Sequence, residues 1–326
     1  MDKNTAAEYL HMGMGTEMAH KAFGKHAGEA LQAVAGEARR FEMLLSRFVP
    51  GSEIGRINGS AGIKREKLSP DTYKVLSQAA GFSKMFRGLF DVTIGPLADL
   101  WDFKNASAIP EEARIRQLLP LVDYSCLELD PRKKTAGLQK TGQSIDLGGI
   151  GKGFAGDRFL EIFREYGLTS AFTNIGGNVQ TLGNKPDGSP WRVGIRHPRQ
   201  DGRLLGAVSV TGKAVVTSGD YERYFIDREG KRHHHLLDPV TGHPAESGLI
   251  SVTVTADSGM TADALSTAMF VGGMEKGLGL LGQIPEAEAV LVDEGLQVYI
   301  TQGLKDQFQA AAGIKAKVVC ERKRAI

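Results

Sequence analysis

The chain has 326 residues, 41% apolar and 24% charged, with a formal net charge of +2. That length allows one large domain or two of ordinary size. The near-balanced charge removes the electrostatic case for nucleic acid, and no window approaches the roughly 18 apolar residues of a transmembrane helix.

Glycine, at 41 residues, lies well above its usual share of about 7% and is not periodic, which excludes collagen. Tight turns and close backbone approaches are expected instead. Cys126 and Cys320 make neither a metal motif nor a disulfide framework, and both are expected to be reduced. The opening MDKNTAAEYLHMGMGTEM has no apolar core of signal-peptide type. As the sequence stands, the expected compartment is the cytoplasm; a removed export signal would make it periplasmic or membrane-associated.

In chain order, Leu31, Val34, Ala38, Phe41 and Leu45 recur at helical spacing and predict a helix from about Ala27 to Leu45. SRFVPGSEIGRINGSAG, from Ser46 to Gly62, reads as turns. Ser69-Pro70 is a cap followed by proline at the first helical position and predicts a helix through Tyr73, Leu76, Ala80 and Phe86. A third helix is expected from Pro110-Glu-Glu, with its acids at the positive end of the dipole. CLELD, TAGLQ and SIDLG alternate and read as strands. A helix over Lys152 to Glu165 follows, then strand-like SAFTNIG, NVQTLG, WRVGIR, GAVSVTG and AVVTSG. YERYFID and HHHLLD flank a hairpin connection, LISVTVTA is a strand, TADALSTAMFVGG a helix, and AVLVD and LQVYIT a hairpin about Glu294-Gly295. This count predicts a mixed α/β or α+β chain rich in antiparallel pairs.

The densest chemistry lies in SIDLGGIGKGFAGD, Ser144 to Asp157. A Walker loop fails at both ends, because Gly153 follows Lys152 and Asp146 stands five before Gly151. Gly151-Lys-Gly153-Phe-Ala-Gly156 does match the dinucleotide fingerprint, but the next strand ends in TNIGG without the acid that fold requires. Asp263 and Thr267 share a helix face, and their hard oxygens suit Mg²⁺ better than zinc, although an acid in a first turn is ordinarily a dipole or capping residue. Ser258 or Thr261 could be the cap. His233, His234 and His235 on a strand would face alternate sides, and one of them could serve as a general base. Asp91, in the apolar run LFDVTIGPLADLW, must be paired, capping or functional. Asn58 and Asn178 stand in turn contexts, where asparagine is ordinary.

Taken together, MGT (Met14 to Thr16), LSRFVPGSEIGRIN (Leu45 to Asn58), FDVTIGPLADLW (Phe90 to Trp101), SIDLGGIGKGFAGD, NIGGN (Asn174 to Asn178), VTSGDYERYF (Val216 to Phe225), HLLDPVTGHPA (His235 to Ala245) and TADALSTA (Thr261 to Ala268) resemble, in order, the FAD:protein FMN transferase family, the ApbE-type flavin transferases. The matching part runs over about residues 12–305. The resemblance implies an α+β, T-fold-like flavin transferase with largely antiparallel sheets packed against helices. It implies one domain over 1–326, open to division into two sub-lobes around a central FAD and metal cleft. It further implies FAD as substrate, Mg²⁺ with Mn²⁺ as the alternative, transfer of FMN to a threonine or serine of an acceptor protein carrying a D-x-x-[ST]-x-x-[ST]-type motif, and release of AMP.

The family's metal ligands map onto the Gly149 carbonyl, Asp263 and Thr267. Its flavin contacts map onto Met14, Leu89, Phe90, Asp91, Asp146, Lys152 and Leu237, and its catalytic histidine onto His235. Gly151 stands where many relatives carry alanine. A flavin carrier of the same fold, or an FAD pyrophosphatase giving FMN and AMP, is the alternative activity. A dinucleotide oxidoreductase would rest on the glycine pattern alone.

Overall fold

A computed structural model describes residues 5–105 and 108–319 of the chain. Its scaffold is a nine-stranded sheet whose spatial order follows the chain. The strands are Ala6–Gly13, Thr16–Phe23, Ser170–Ile175, Asn178–Leu182, Ala214–Gly219, Leu249–Ala256, Glu288–Asp293, Val298–Thr301 and Ala316–Val319. Each neighbouring pair is antiparallel except the last, which is parallel. All eight residues of Leu249–Ala256 are buried, because both faces of the sheet are covered there. Val252 and Val254 face the main helical core. Ile250 joins Val215, Val290 and Val292 on the other side, against Trp191, Ile195, Leu205 and Val208. Those last residues belong to a small sheet of Trp191–Arg196, Leu204–Val210 and Phe308–Ala310. Cover on both faces explains why Ser251, Thr253 and Thr255 are buried along with the apolar residues they alternate with.

The described helices are α1 (Ala27–Leu45), α2 (Glu53–Gly59), α3 (Pro70–Met85), α4 (Gly95–Trp101), α5 (Glu112–Leu118), α6 (Gly151–Glu165) and α7 (Gly259–Leu281). Helix α1 has the predicted bounds and buries the predicted stripe. At α3, Ser69 caps through its hydroxyl and is itself gripped by Glu53, whose carboxylate takes the Ser69 N–H at 3.0 Å and its hydroxyl at 2.9 Å. Helix α6 packs against both α1 and α7, and all three lie on the sheet. Helix α7 is apolar on nearly every side and correspondingly buried, and its helical geometry breaks at Gly273, where φ is 73°.

Two expectations change, at Ser46 to Gly62 and at SIDLG, and two further elements appear where none was expected. The N-terminal stretch is a hairpin, Ala6–Gly13 with Thr16–Phe23, turning at Met14 and Gly15 with positive φ at both. The segment read as turns contains α2, and the apolar run around Asp91 contains α4. SIDLG forms no strand: Ser144 makes one isolated parallel bridge with Ile94, Ile145 to Leu147 have no regular structure, and a turn begins at Gly148. Its backbone is held by single contacts instead of a ladder, and the glycines that follow favour turning. Cys126 is buried and free, its thiol donating to Asp123 at 3.2 Å; Cys320 lies outside the described residues.

His20 is buried in the sheet, its Nδ1 2.8 Å from Thr173 Oγ1 and its Nε2 3.0 Å from His11 Nε2. Burial, with the charge of His11 second, pushes it down to about 3. The unfolded chain titrates near the ordinary value of about 6.5. Between these values the unfolded state binds a proton that the fold refuses, so stability falls as pH is lowered through that window. His20→Asn should flatten this decline in denaturant midpoints measured between about pH 7 and 4; an unchanged slope would show that His20 is not its source.

Candidate active site

The glycine segment is pinned from several sides. Asn58, at the end of α2, bonds Ile145 in both directions, accepting from its N–H at 2.7 Å and donating to its carbonyl at 3.1 Å. Asp146 N–H donates to the Val92 carbonyl at 2.9 Å. The Asp146 carboxylate accepts from Gly148 N–H at 2.6 Å and pairs with Arg47 Nε at 3.0 Å. Arg47 is itself nearly buried and also grips Asp99. The asparagine that its sequence context made ordinary is therefore a clamp on this loop.

Gly149 sits at the crowded point. A methyl group there would lie 3.1 Å from the Phe90 ring and 3.3 Å from Thr267 Oγ1, so the loop and α7 meet closely and a side chain would fit only if they gave by a few tenths of an ångström. On α7, Thr267 Oγ1 donates to the Asp263 carbonyl at 3.2 Å and lies 3.3 Å from Ser218 Oγ. Ser218, from the end of Ala214–Gly219, also meets Ser266 at 2.8 Å. Asp263 is buried. Its Oδ2 accepts the Gly153 N–H at 3.0 Å, and its Oδ1 stands 3.9 Å from Lys152 Nζ. Lys152 reaches back to the Gly148 carbonyl at 3.1 Å. Three of the predicted residues thus converge from elements over a hundred positions apart, with Lys152 beside them.

The chemistry of this set fits a hard divalent cation: a carboxylate oxygen without a hydrogen-bond donor, a hydroxyl and a turn backbone, all oxygen ligands. Among the described residues, no cluster of three or more His, Cys, Asp or Glu side chains is placed to hold a metal.

The three histidines take separate partners. The strand Arg232–His234 ends before His235. His233 Nε2 lies 2.8 Å from Asp227 Oδ2 and stacks on Phe225. His234 Nε2 donates to the Ala245 carbonyl at 3.1 Å, with its ring edge-on to Phe270 of α7. His235 Nδ1 is 3.2 Å from the Arg223 carbonyl. A carbonyl can only accept, so the proton sits on Nδ1 and Nε2 keeps its lone pair. Burial first, then the positive charge of Arg223, the neighbouring His234 and Lys152, hold the His235 ring down to about 3. It is neutral at physiological pH.

The other predicted contacts divide. Met14 reaches Gly151, its methyl 4.0 Å from where a side chain would begin there, and Leu89 packs on Gly272 of α7. The Asp91 carboxylate is engaged internally, by Thr93 N–H at 2.8 Å, its hydroxyl at 2.7 Å, and Tyr124 N–H at 3.0 Å; burial raises its affinity for protons and these donors oppose that. Leu237 is buried with Leu97, Trp101 and Ile115. Sequence reasoning did not single out Arg47, Ser218, Gln180 or Asp157, although all but Gln180 lie within its matched blocks.

A carboxylate, a hydroxyl and a lysine meet a glycine turn on an α+β sheet-and-helix frame, and that frame is the fold of the ApbE-type flavin transferases. The model of the ApbE family matches residues 14–291, and the chain belongs to that family. It is 32% identical over 310 residues to the FAD:protein FMN transferase of Klebsiella pneumoniae, covering 94% of this chain and 96% of that one. It is 33% identical over 308 residues to the enzyme of the same name from Treponema pallidum, covering 90% and 84%. The crystal structure of the ApbE protein from Thermotoga maritima superposes with a TM-score of 0.86 at 31% identity, over 93% of this chain and 99% of that one.

The different settings of His234 and His235 separate two phenotypes. His234→Ala removes a buried ring from the face of α7 and should lower stability by about 2 kcal/mol or more. His235→Ala should lower stability by less than about 1 kcal/mol, because that ring is only half-buried. Equal losses in urea titrations would contradict this assignment.

Proposed function

We propose that the chain transfers FMN from FAD to a threonine or serine hydroxyl of an acceptor protein and releases AMP, with Mg²⁺ as the resident cation and Mn²⁺ able to take the same oxygen ligands. The observation that carries this reading is the convergence of Gly149, Asp263 and Thr267 beside Lys152, in a chain of the ApbE family.

Asp263 Oδ1, Thr267 Oγ1 and the Gly149 carbonyl would hold the cation, which when bound supplies charge neutralisation and orientation at the pyrophosphate. Lys152 adds a fixed positive charge on the same side. Met14, Leu89 and Phe90 supply apolar surface for the flavin. His235 Nε2 accepts the proton of the attacking hydroxyl. The hydroxyl oxygen then bonds to the FMN phosphorus as the bond from that phosphorus to the bridging oxygen breaks, and AMP carries that oxygen away. The acceptor recognised would be a protein segment of the D-x-x-[ST]-x-x-[ST] type. Water in place of the hydroxyl would give FMN and AMP by the same bond changes.

Incubation with FAD, Mg²⁺ and a domain carrying that motif should give an FMN adduct by intact mass, with AMP released in equal amount. Neither product would sink the enzyme reading, and AMP without adduct would favour hydrolysis. Asp263→Ala should lower metal-dependent turnover by at least about 100-fold; unchanged turnover would remove Asp263 from the site.

Because His235 is already neutral, with its affinity for protons held down to about 3, its base function survives acidification. As pH falls from about 8 to 5 the fraction of neutral His235 stays near one, so kcat/KM should show no acid limb centred at the ordinary histidine value of about 6.5. Such a limb, abolished by His235→Gln, would show that the ring is not held neutral.

A further inference from the structure

The starts of α6 and α7 lie against each other, and each helix caps the other. Helix α6 has no side-chain cap of its own at Ile150; its Gly153 N–H is taken by Asp263 Oδ2 from α7, at 3.0 Å. In return, Asp157 of α6 takes the first N–H groups of α7. Its Oδ1 accepts from Gly259 at 2.6 Å, and its Oδ2 from Met260 at 3.1 Å and from the Ser258 hydroxyl at 2.8 Å.

The contact leaves no space. A Cβ on Gly153 would lie 2.2 Å from the Gly259 carbonyl oxygen, one on Gly259 2.6 Å from the Gly153 carbonyl oxygen, and one on Gly156 2.1 Å from Gln180 Nε2. Gln180 closes the junction by donating to the Gly153 carbonyl at 2.9 Å. The glycines that imitate a dinucleotide fingerprint are thus needed for helix-to-helix contact.

This geometry has a consequence for Asp263. Its Oδ2 is fixed by α6, so the direction of Oδ1 depends on the register between the two helices. Asp157 sets that register at its three bonds to residues 258–260, one turn before Asp263 on the same helix. We propose that Asp157 is a positioning residue of the cation site: it touches neither substrate nor cation, and it holds α7 so that Asp263 Oδ1 and Thr267 meet the Gly149 turn. This rests on the cation site proposed above.

The test reads binding directly, by the loss of the free Mn²⁺ electron paramagnetic resonance signal on titration with the full-length protein, alongside turnover against Mg²⁺ concentration. Asp157→Asn keeps the size of the side chain but loses its charge and one acceptor. It should weaken Mn²⁺ binding by about 10-fold, in the range for supporting residues of metal sites. Excess Mg²⁺ should restore turnover to within about 3-fold, and FAD affinity should be unchanged. Ser258→Ala keeps Asp157 and its two backbone bonds, and should weaken Mn²⁺ binding by about 2–3-fold.

Wild-type Mn²⁺ affinity in a folded Asp157→Asn protein would overturn the proposal. If that variant does not fold, wild-type affinity in Ser258→Ala would do the same. Asp263→Ala serves as the control: if it also binds Mn²⁺ normally, the cation site itself is misplaced, a result distinct from failure of the Asp157 assignment.

Discussion

Two helices start so close together that only glycine fits between them, and much of the site follows from that contact. The amides at a helix start carry partial positive charge and lack partners within the helix. Burying two such starts against each other would leave both unsatisfied. A carboxylate from each helix, given to the other, satisfies them with charge-assisted hydrogen bonds. Asp157 is buried enough that its proton affinity is raised, and the three donors work against that rise. The arrangement also explains why a G-x-G-x-x-G pattern can occur with no acid at the end of the next strand.

The electrostatics of the site run in two directions. On the α7 side a buried carboxylate keeps one oxygen unbonded, with Lys152 nearby but beyond hydrogen-bond distance. On the other side His235 is held neutral by burial and by the cations around it. The same positive surroundings that would attract a pyrophosphate also keep the imidazole deprotonated, so in the proposed reaction anion binding and a histidine base would support each other. An isolated histidine at its ordinary value would be partly charged at pH 6.5 and unable to accept a proton in that fraction.

What could be read from the sequence depended on range. Helix α1 was legible to the residue because a long apolar stripe at one period survives any local noise, and Ser69-Pro70 marked α3 because capping is chemistry within four residues. The N-terminal hairpin was not, since Glu8, Leu10 and Met12 point outward and blur the alternation on which a strand reading depends. The seven-residue α2 and α4 are too short to display a period. In the site, the spacing of Asp263 and Thr267 was visible because it is local. The meeting of Thr267 with Gly149, the Asn58 clamp and the Asp157 cap join residues 87 to 118 positions apart. No spacing rule reaches that far, and it took the resemblance of eight ordered blocks to bring those segments together.

The two halves of the site hang from different parts of the chain and are joined through α6. The glycine turn hangs from Asn58, Val92 and Arg47, all in the N-terminal third of the chain. Asp263 and Thr267 belong to α7, which rests on the sheet and on α6. The Gly153 N–H bond to Asp263 is the link, because α6 continues directly from the glycine turn. A loop of ordinary flexibility would have to be ordered each time a cation bound, at a cost of about 1–2 kcal/mol per residue in backbone entropy. Here that ordering is completed on folding, through contacts that involve no ligand. The sequence therefore concentrates its glycines and clamping side chains around Gly149, where backbone atoms have to be placed, while the groups that would meet the substrate, Lys152 and His235, stand just outside that rigid knot.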